Sequence, residues 1–210
     1  KYCANLSLDG QTDWRLPNVK ELLSIAIFQG SAPYIDTSYF SNIYASSNSI
    51  YWASTTDKDL VPVGQYTLLN KFEGTFGPGY GIKVGVSWYA LCVRGNTVTG
   101  LPDTGLTSCY NDTTTTTCGG ADFPDQDADS TINNLSFTQG TYTVIDNNTG
   151  LIWQRYGHGS SNGYTAPTSV SDCASGGSYS SSYCTYNWQD SLKYCANLSL
   201  DGQTDWRLPN

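Results

Sequence analysis

What this sequence has little of sets the first limits. Charged residues make up 13% of its 210 positions, about half the roughly 25% of an average globular chain. Lys and Arg number ten against eighteen acids, for a formal net charge of −8. Binding nucleic acid requires clustered cations that displace counterions from phosphate. Ten scattered ones exclude that partner, and an anionic membrane surface with it. The acidic balance serves solubility. No apolar run reaches the roughly eighteen residues that a membrane span needs, so none is expected. The first residues, Lys1-Tyr2-Cys3-Ala4-Asn5, have neither the basic start nor the apolar stretch of a signal peptide, and read as lying in mid-sequence. Histidine occurs once, at His158, and no Cys-x-x-Cys pair occurs. The usual ligand sets for zinc are therefore missing. A lone His also lacks the nucleophile and orienting partner that a general base needs, so no enzymatic activity is expected and a solvent-facing loop is the plain reading of His158.

Gly, Ser, Thr, Asn and Tyr take the place of charge. The twenty-one Gly and sixteen Tyr point to β structure with many turns and broad aromatic surfaces. Hydrophobic residues, at 39%, suffice for one good core or two small ones.

The eighteen residues from Lys1 to Asn18, KYCANLSLDGQTDWRLPN, recur identically from Lys193 to Asn210, at an offset of 192. Chance does not produce this, and old duplicates drift apart. The repeat implies a recent duplication, a concatenated unit or the seam of a periodic object. A period of 192 is the size of a domain rather than a solenoid turn. Trp188, Leu192 and Cys195 follow helical spacing across the start of the second copy, so the first copy opens inside a helix. The polar, turn-forming run from Arg94 to Gly105 reads as a linker. Residues 1–98 are then the later part of one unit, and residues 99–210 the earlier part of the next.

Seven cysteines reduce to six per period, because Cys3 and Cys195 are one repeat position. An even number suits disulfides in an oxidising compartment. Cys109 with Cys118 and Cys173 with Cys184 would close short polar loops. Cys3 with Cys92 would close a long one, leaving Cys195 for the Cys92 position of a following unit.

Several words of the sequence carry a resemblance. Thr149–Arg155, Asn187-Trp188, Asp205–Asn210 and its twin Asp13–Asn18, Lys20-Glu21-Leu22, Pro33–Thr37, Tyr51–Thr55 and Cys92-Val93-Arg94 together resemble the bacterial DUF1566 family, that of the C-terminal domain of the Legionella collagen-like adhesin. Leu101–Gly105 through Cys109-Tyr110 looks like its usual opening. The resemblance covers nearly the whole chain, in permuted order. It implies a C-type-lectin-like or formylglycine-generating-enzyme-like fold, a secreted or surface location, and glycan ligands for some members. The expected architecture is α+β: a twisted, mainly antiparallel sheet, two helices and long disulfide-stapled loops. One helix should start at Asn18, an N-cap with Glu21 at N3. The other should run from Trp188. Thr141–Asp146 and Leu151–Gln154 should form a hairpin, and Val84–Val93 a strand. Arg15 should pair with Asp13 or another acid, and Trp14, Trp52, Trp88 and Trp153 should be core.

Further candidates remain. Asp125, Asp127 and Asp129 alternate carboxylates that can hold Ca²⁺ or form an exposed acidic loop. Glycosylation candidates are the sequons at Asn5, Asn111, Asn134, Asn147 and Asn197 and the run Thr113, Thr114, Thr115, Thr116 and Thr117. Tyr34, Tyr39, Tyr44, Tyr179 and Tyr183 are candidates for contact with sugar or a neighbouring subunit. The function expected from all this is a structural subunit of an extracellular filament, joined head-to-tail to copies of itself. The alternative is a secreted glycan-binding adhesin module.

Overall fold

The structure is a computed structural model; it describes residues 2–27, 34–40, 50–57, 63–68, 78–95, 100–111, 114–120, 123–129 and 133–209. Two compact units divide the chain, residues 1–135 and 136–210. The expected repeat boundary at 98/99, like Pro33, Tyr44 and Thr113, lies outside the described residues. That boundary concerns phase along a longer repeat. The compact units divide elsewhere because residues 100–135 belong with the first ninety-five.

In the first unit, α1 (Val19–Ser24) begins as its sequence dictates. The Asn18 side chain accepts from Glu21 N at 2.9 Å, and the Glu21 carboxylate accepts from Asn18 N at 2.8 Å. This reciprocal box satisfies two of the orphan donors at a helix start. β1 (Ile50–Thr56), β2 (Val63–Leu68) and β3 (Pro78–Ile82) form an antiparallel sheet in that order. Alternation along β1 turns Tyr51, Ala53 and Thr55 inward, as a half-buried strand requires. Tyr51 and Ala53 meet Leu22 of α1 and Ile35 in the core, with Val19, Ile25, Phe40 and Leu91 packed around them. A buried leucine such as Leu22 contributes about 1.5–3 kcal/mol. β4 (Cys109–Tyr110) and β5 (Thr115–Thr116) make a short second ribbon.

Val84–Val93 does not form the expected strand. It holds only two isolated bridges, Tyr89 to Tyr51 and Val93 to Arg15. Gly85, at φ +81°, breaks the extended course early.

In the second unit, β6 (Phe137–Gln139), β7 (Thr143–Asp146) and β8 (Ile152–Gln154) form an antiparallel sheet. The expected β7–β8 hairpin turns on Asp146, whose carboxylate accepts from Asn148 N and the Thr149 hydroxyl. β9 (Ser178–Ser180) and β10 (Tyr183–Thr185) enclose Ser181-Ser182, both at positive φ, the two-residue turn that matches strand twist. α2 (Trp188–Ala196) starts at Asn187, whose side chain accepts from Asp190 N. Among the described residues the architecture is thus α+β, but built on four small antiparallel sheets rather than one large one. Among the described residues no helix is long and apolar enough to cross a membrane.

Candidate functional site

The first unit concentrates its polar groups in one buried node. The Arg15 guanidinium forks onto Glu21, Nη1 to Oε2 at 2.8 Å and Nη2 to Oε1 at 2.7 Å, with side chains only 11% and 8% exposed. Burial pushes the Glu21 carboxyl upward, but the Arg15 and Asn18 hydrogen bonds and the Arg15 charge outweigh it and hold Glu21 below its ordinary value. The hydrogen bond to Glu21 raises Arg15 against the effect of burial. The partner of Arg15 is therefore Glu21. Asp13 pairs instead with Arg94, at 2.7 Å and largely exposed.

Beside this pair, Thr55 Oγ1 accepts from Val19 N at 3.0 Å. Asp127, buried, accepts from the Thr104 hydroxyl at 2.7 Å. Its pKa is raised, first by burial and further by the Asp103 and Glu21 charges, against the lowering pull of the Thr104 and Thr55 hydroxyls. Lys20 Nζ donates to Asp103 O at 2.6 Å, and the Asp103 carboxylate accepts from Gly105 N. Four separated stretches, Asp13–Asn18, Tyr51–Thr55, Asp103–Gly105 and Asp127, thus meet through hydrogen bonds and fixed charge. Within the run read as a linker, Asp103 is buried, Thr104 half-buried and Gly105 exposed.

The duplicated stretch folds twice in this chain, in two settings. Its start differs, Cys3–Asn5 being a 3-10 turn and Lys193–Ala196 the end of α2, while its middle is the same in both. Asp9-Gly10 and Asp201-Gly202 each make a tight turn at positive φ, bridged by Leu8 with Gln11 and by Leu200 with Gln203. Trp14 Nε1 donates to Gln11 O and Trp206 Nε1 to Gln203 O. The surroundings are complementary. In the first copy Cys3 is buried in a disulfide, Arg15 exchanges two backbone hydrogen bonds with Val93, and Pro17 is buried and accepts from Ser54 N. Its Leu8, however, is 49% exposed. In the second copy Leu200 is 1% exposed, Leu198 is buried, and Asp201 accepts from Tyr142 N and the Thr143 hydroxyl. These donors hold Asp201 below its ordinary pKa. Here Cys195 is a free thiol, and Arg207 and Pro209 are exposed. The expected apolar stripe of α2 is not packed away either: Trp188 is 71% exposed and Leu192 exposed.

The structure brings Cys3 together with Cys92, Cys109 with Cys118, and Cys173 with Cys184. The three carboxylates of the acidic loop point to different neighbours. Asp125 is exposed at positive φ, Asp127 faces Thr104, and Asp129 accepts from Gly119 N at 2.6 Å. Among the described residues one group of potential metal ligands clusters, Cys109, Cys118 and Asp129, and its two sulfurs are spent in a disulfide. Asn5, Asn134, Asn147 and Asn197 are exposed, Asn111 is half-buried, and Thr114, Thr115, Thr116 and Thr117 are exposed. The Asn147 amide is occupied, accepting from the Thr138 hydroxyl and donating to Ser136 Oγ.

Trp153, expected in the core, is exposed; Trp14, Trp52 and Trp88 are half-buried, the last two with ring centroids 4.5 Å apart. Tyr39, Tyr179 and Tyr183 are exposed and Tyr34 is half-buried. His158 lies between the rings of Tyr156 and Tyr183, and its Nδ1 is buried without a hydrogen-bond partner. Close by, Gly159-Ser160-Ser161-Asn162-Gly163 spells a Gly-x-Ser-x-Gly pattern centred on Ser161. Its setting is a run of turns and bends, not the strand-to-helix elbow that presents a nucleophile. Sequence reasoning missed the Glu21–Thr55–Asp127 convergence; the capping box was the one signal pointing at Glu21.

The family model described as the Lcl C-terminal domain matches residues 1–94 and 142–210, more than three quarters of the chain. The chain belongs to that family. The match falls in two pieces, which carry the family's words in permuted order, and leaves out 95–141, where the expected opening Leu101–Tyr110 lies. No curated protein and no solved structure matches the chain.

Proposed function

With membership of the Lcl C-terminal domain family as premise, we propose that this chain is a structural subunit of an extracellular filament built from repeated domains of that family. The observation that carries this reading is the eighteen-residue identity at an offset of 192, joined to a family match that falls in two pieces. A periodic chain cut out of phase with its own domain yields both features at once. In this reading residues 1–98 close one unit and 99–210 open the next, and each complete unit has the C-type-lectin-like or formylglycine-generating-enzyme-like fold. Three disulfides are consistent with an extracellular setting. The role is mechanical rather than catalytic. The exposed threonines Thr114–Thr117 and the exposed sequon Asn134 suit attached sugar. Contacts that repeat head-to-tail without closing make fibres. Negative-stain images of the purified protein should show periodic fibres, and single particles alone would refute the reading. The second reading is a glycan-binding adhesin module, favoured by the exposed rings of Tyr39, Tyr183 and Trp188. Saturable binding on a glycan array by single particles would favour it.

A further inference from the structure

We propose that residues 194–209 of one chain replace residues 2–17 in a second copy, docking on that copy's α1, β1 and Cys92-Val93 and exchanging disulfides with it. This rests on the filament reading and gives it a joint. The two stretches have the same sequence, so the second must fit wherever the first fits. The first shows that fit: Cys3 bonded to Cys92, Arg15 forked onto Glu21 and bridged to Val93, and Pro17 seated against Ser54. The second shows what the first leaves open, with Leu198 and Leu200 buried and Asp201 bonded to Tyr142 and Thr143. A single stretch can satisfy both sets of partners, because they use different side chains. After exchange, Leu198, Leu200 and Asp201 keep their present seats. Cys195, Arg207 and Pro209 then take those of Cys3, Arg15 and Pro17. The exposed Trp188 and Leu192 of α2 supply apolar area beside the joint.

The exchange costs little, because every contact it breaks is re-formed by an identical side chain; this is the logic of domain swapping. It is also directional. Each chain offers its second copy to a neighbour and receives a neighbour's on its own α1, β1 and Cys92-Val93, so the contact propagates head-to-tail. The covalent step is thiol–disulfide exchange and balances without an oxidant. Cys195 gives up its proton, and its thiolate attacks Cys92 Sγ of the second copy. The Cys195–Cys92 bond forms as the Cys3–Cys92 bond breaks. Cys3 leaves as a thiolate and takes up a proton.

The test mixes ¹⁵N-labelled and unlabelled full-length chains without added oxidant, blocks free thiols by alkylation, and weighs the intact products and their tryptic peptides. The expected product is a heavy–light dimer of two chains that falls to monomers on reduction. It contains a cysteine peptide of the repeated stretch from one chain joined to the Val84–Arg94 peptide of the other. Because the tryptic peptides Tyr2–Arg15 and Tyr194–Arg207 are identical, Cys195→Ser in both chains supplies the assignment and should abolish the dimer. Arg207→Ala, at a residue exposed in the unexchanged chain, should lower the equilibrium yield of dimer about a hundredfold, the cost of leaving the acceptor's Glu21 buried without its arginine. A dimer that persists with Cys195→Ser, or one unaffected by Arg207→Ala, would mean unspecific thiol scrambling and overturn the proposal. Fibres on the grid with no heavy–light dimer would overturn the exchange and leave the filament reading standing. An absence of fibres removes the filament reading itself.

Discussion

Arginine occupies the same position in both copies of the repeated stretch, which makes the cost of removing it a controlled experiment. Arg15 is nearly buried and forked onto an equally buried Glu21, while Arg207 is exposed. Truncating one partner of a buried pair leaves the other charge without compensation and costs about 3–5 kcal/mol. Glu21 retains the Asn18 N–H, so Arg15→Ala should fall toward the lower end. Arg207→Ala, away from any core, should stay within about 0.5 kcal/mol. Urea unfolding followed by tryptophan fluorescence, with hydrogen exchange at the Arg15 and Val93 amides to localise the loss to the first unit, reads both numbers. The pH response supplies the sign. In the native chain Glu21 is held below its ordinary value, so its contribution is complete above the unfolded pKa and is lost as pH falls through the folded one. Without Arg15 the pull of burial dominates Glu21, and the slope should reverse: the variant regains stability on acidification. Equal losses in the two arginine variants, or an unchanged slope, would refute the assignment of Arg15–Glu21 as the lock of the first unit.

Asp127 should behave oppositely to Glu21. Its folded pKa is raised, so its charge costs stability at neutral pH, and that cost disappears as pH falls below the raised value. Asp127→Asn should therefore match or exceed the parent at pH 7 and lose that advantage in acid, measured as the difference in urea midpoints. Removing Cys3–Cys92, a closure over 89 residues, should cost about 4–5 kcal/mol by loop entropy, against about 2.5–3 kcal/mol for Cys109–Cys118, a closure over nine. Thermal unfolding of the paired Cys→Ser variants should preserve that order. Gly159→Ala should be the costlier of two glycine substitutions at positive φ. A Cβ at Gly159 would sit 2.5 Å from the Cys184 carbonyl oxygen, whereas Gly202 faces open space. Gly202→Ala should lose only the left-handed penalty, about 1–2 kcal/mol, and a comparable loss for both in thermal unfolding would count against the packing of Gly159 on β10.

Elements specified by neighbouring residues could be read before the structure. Asn18 with Glu21 announces α1, the spacing of Trp188, Leu192 and Cys195 announces α2, and Asn147–Gly150 between two β-rich runs announces a hairpin; all three form. Each rests on side-chain-to-backbone bonds spanning three or four positions, which fold the same way in any context. Val84–Val93 misled because β-branched and aromatic residues favour a strand only when a partner edge is present, and here that edge meets the segment at single residues. The buried node was illegible for the converse reason. Glu21, Thr55, Asp103 and Asp127 lie too far apart for any spacing rule, and only packing shows which carboxylate faces arginine and which faces hydroxyls.

The repeated stretch separates the two kinds of information within one molecule. Its sequence alone determines the Asp-Gly turn, the Leu–Gln bridge and the indole-to-carbonyl hydrogen bond, because these recur in both copies. Tertiary structure alone decides which of its side chains are used. The leucine after the serine is exposed in one copy and buried in the other, and the cysteine is bonded in one and a thiol in the other. Burial and disulfide formation depend on what the rest of the chain brings alongside, and eighteen identical residues cannot carry that.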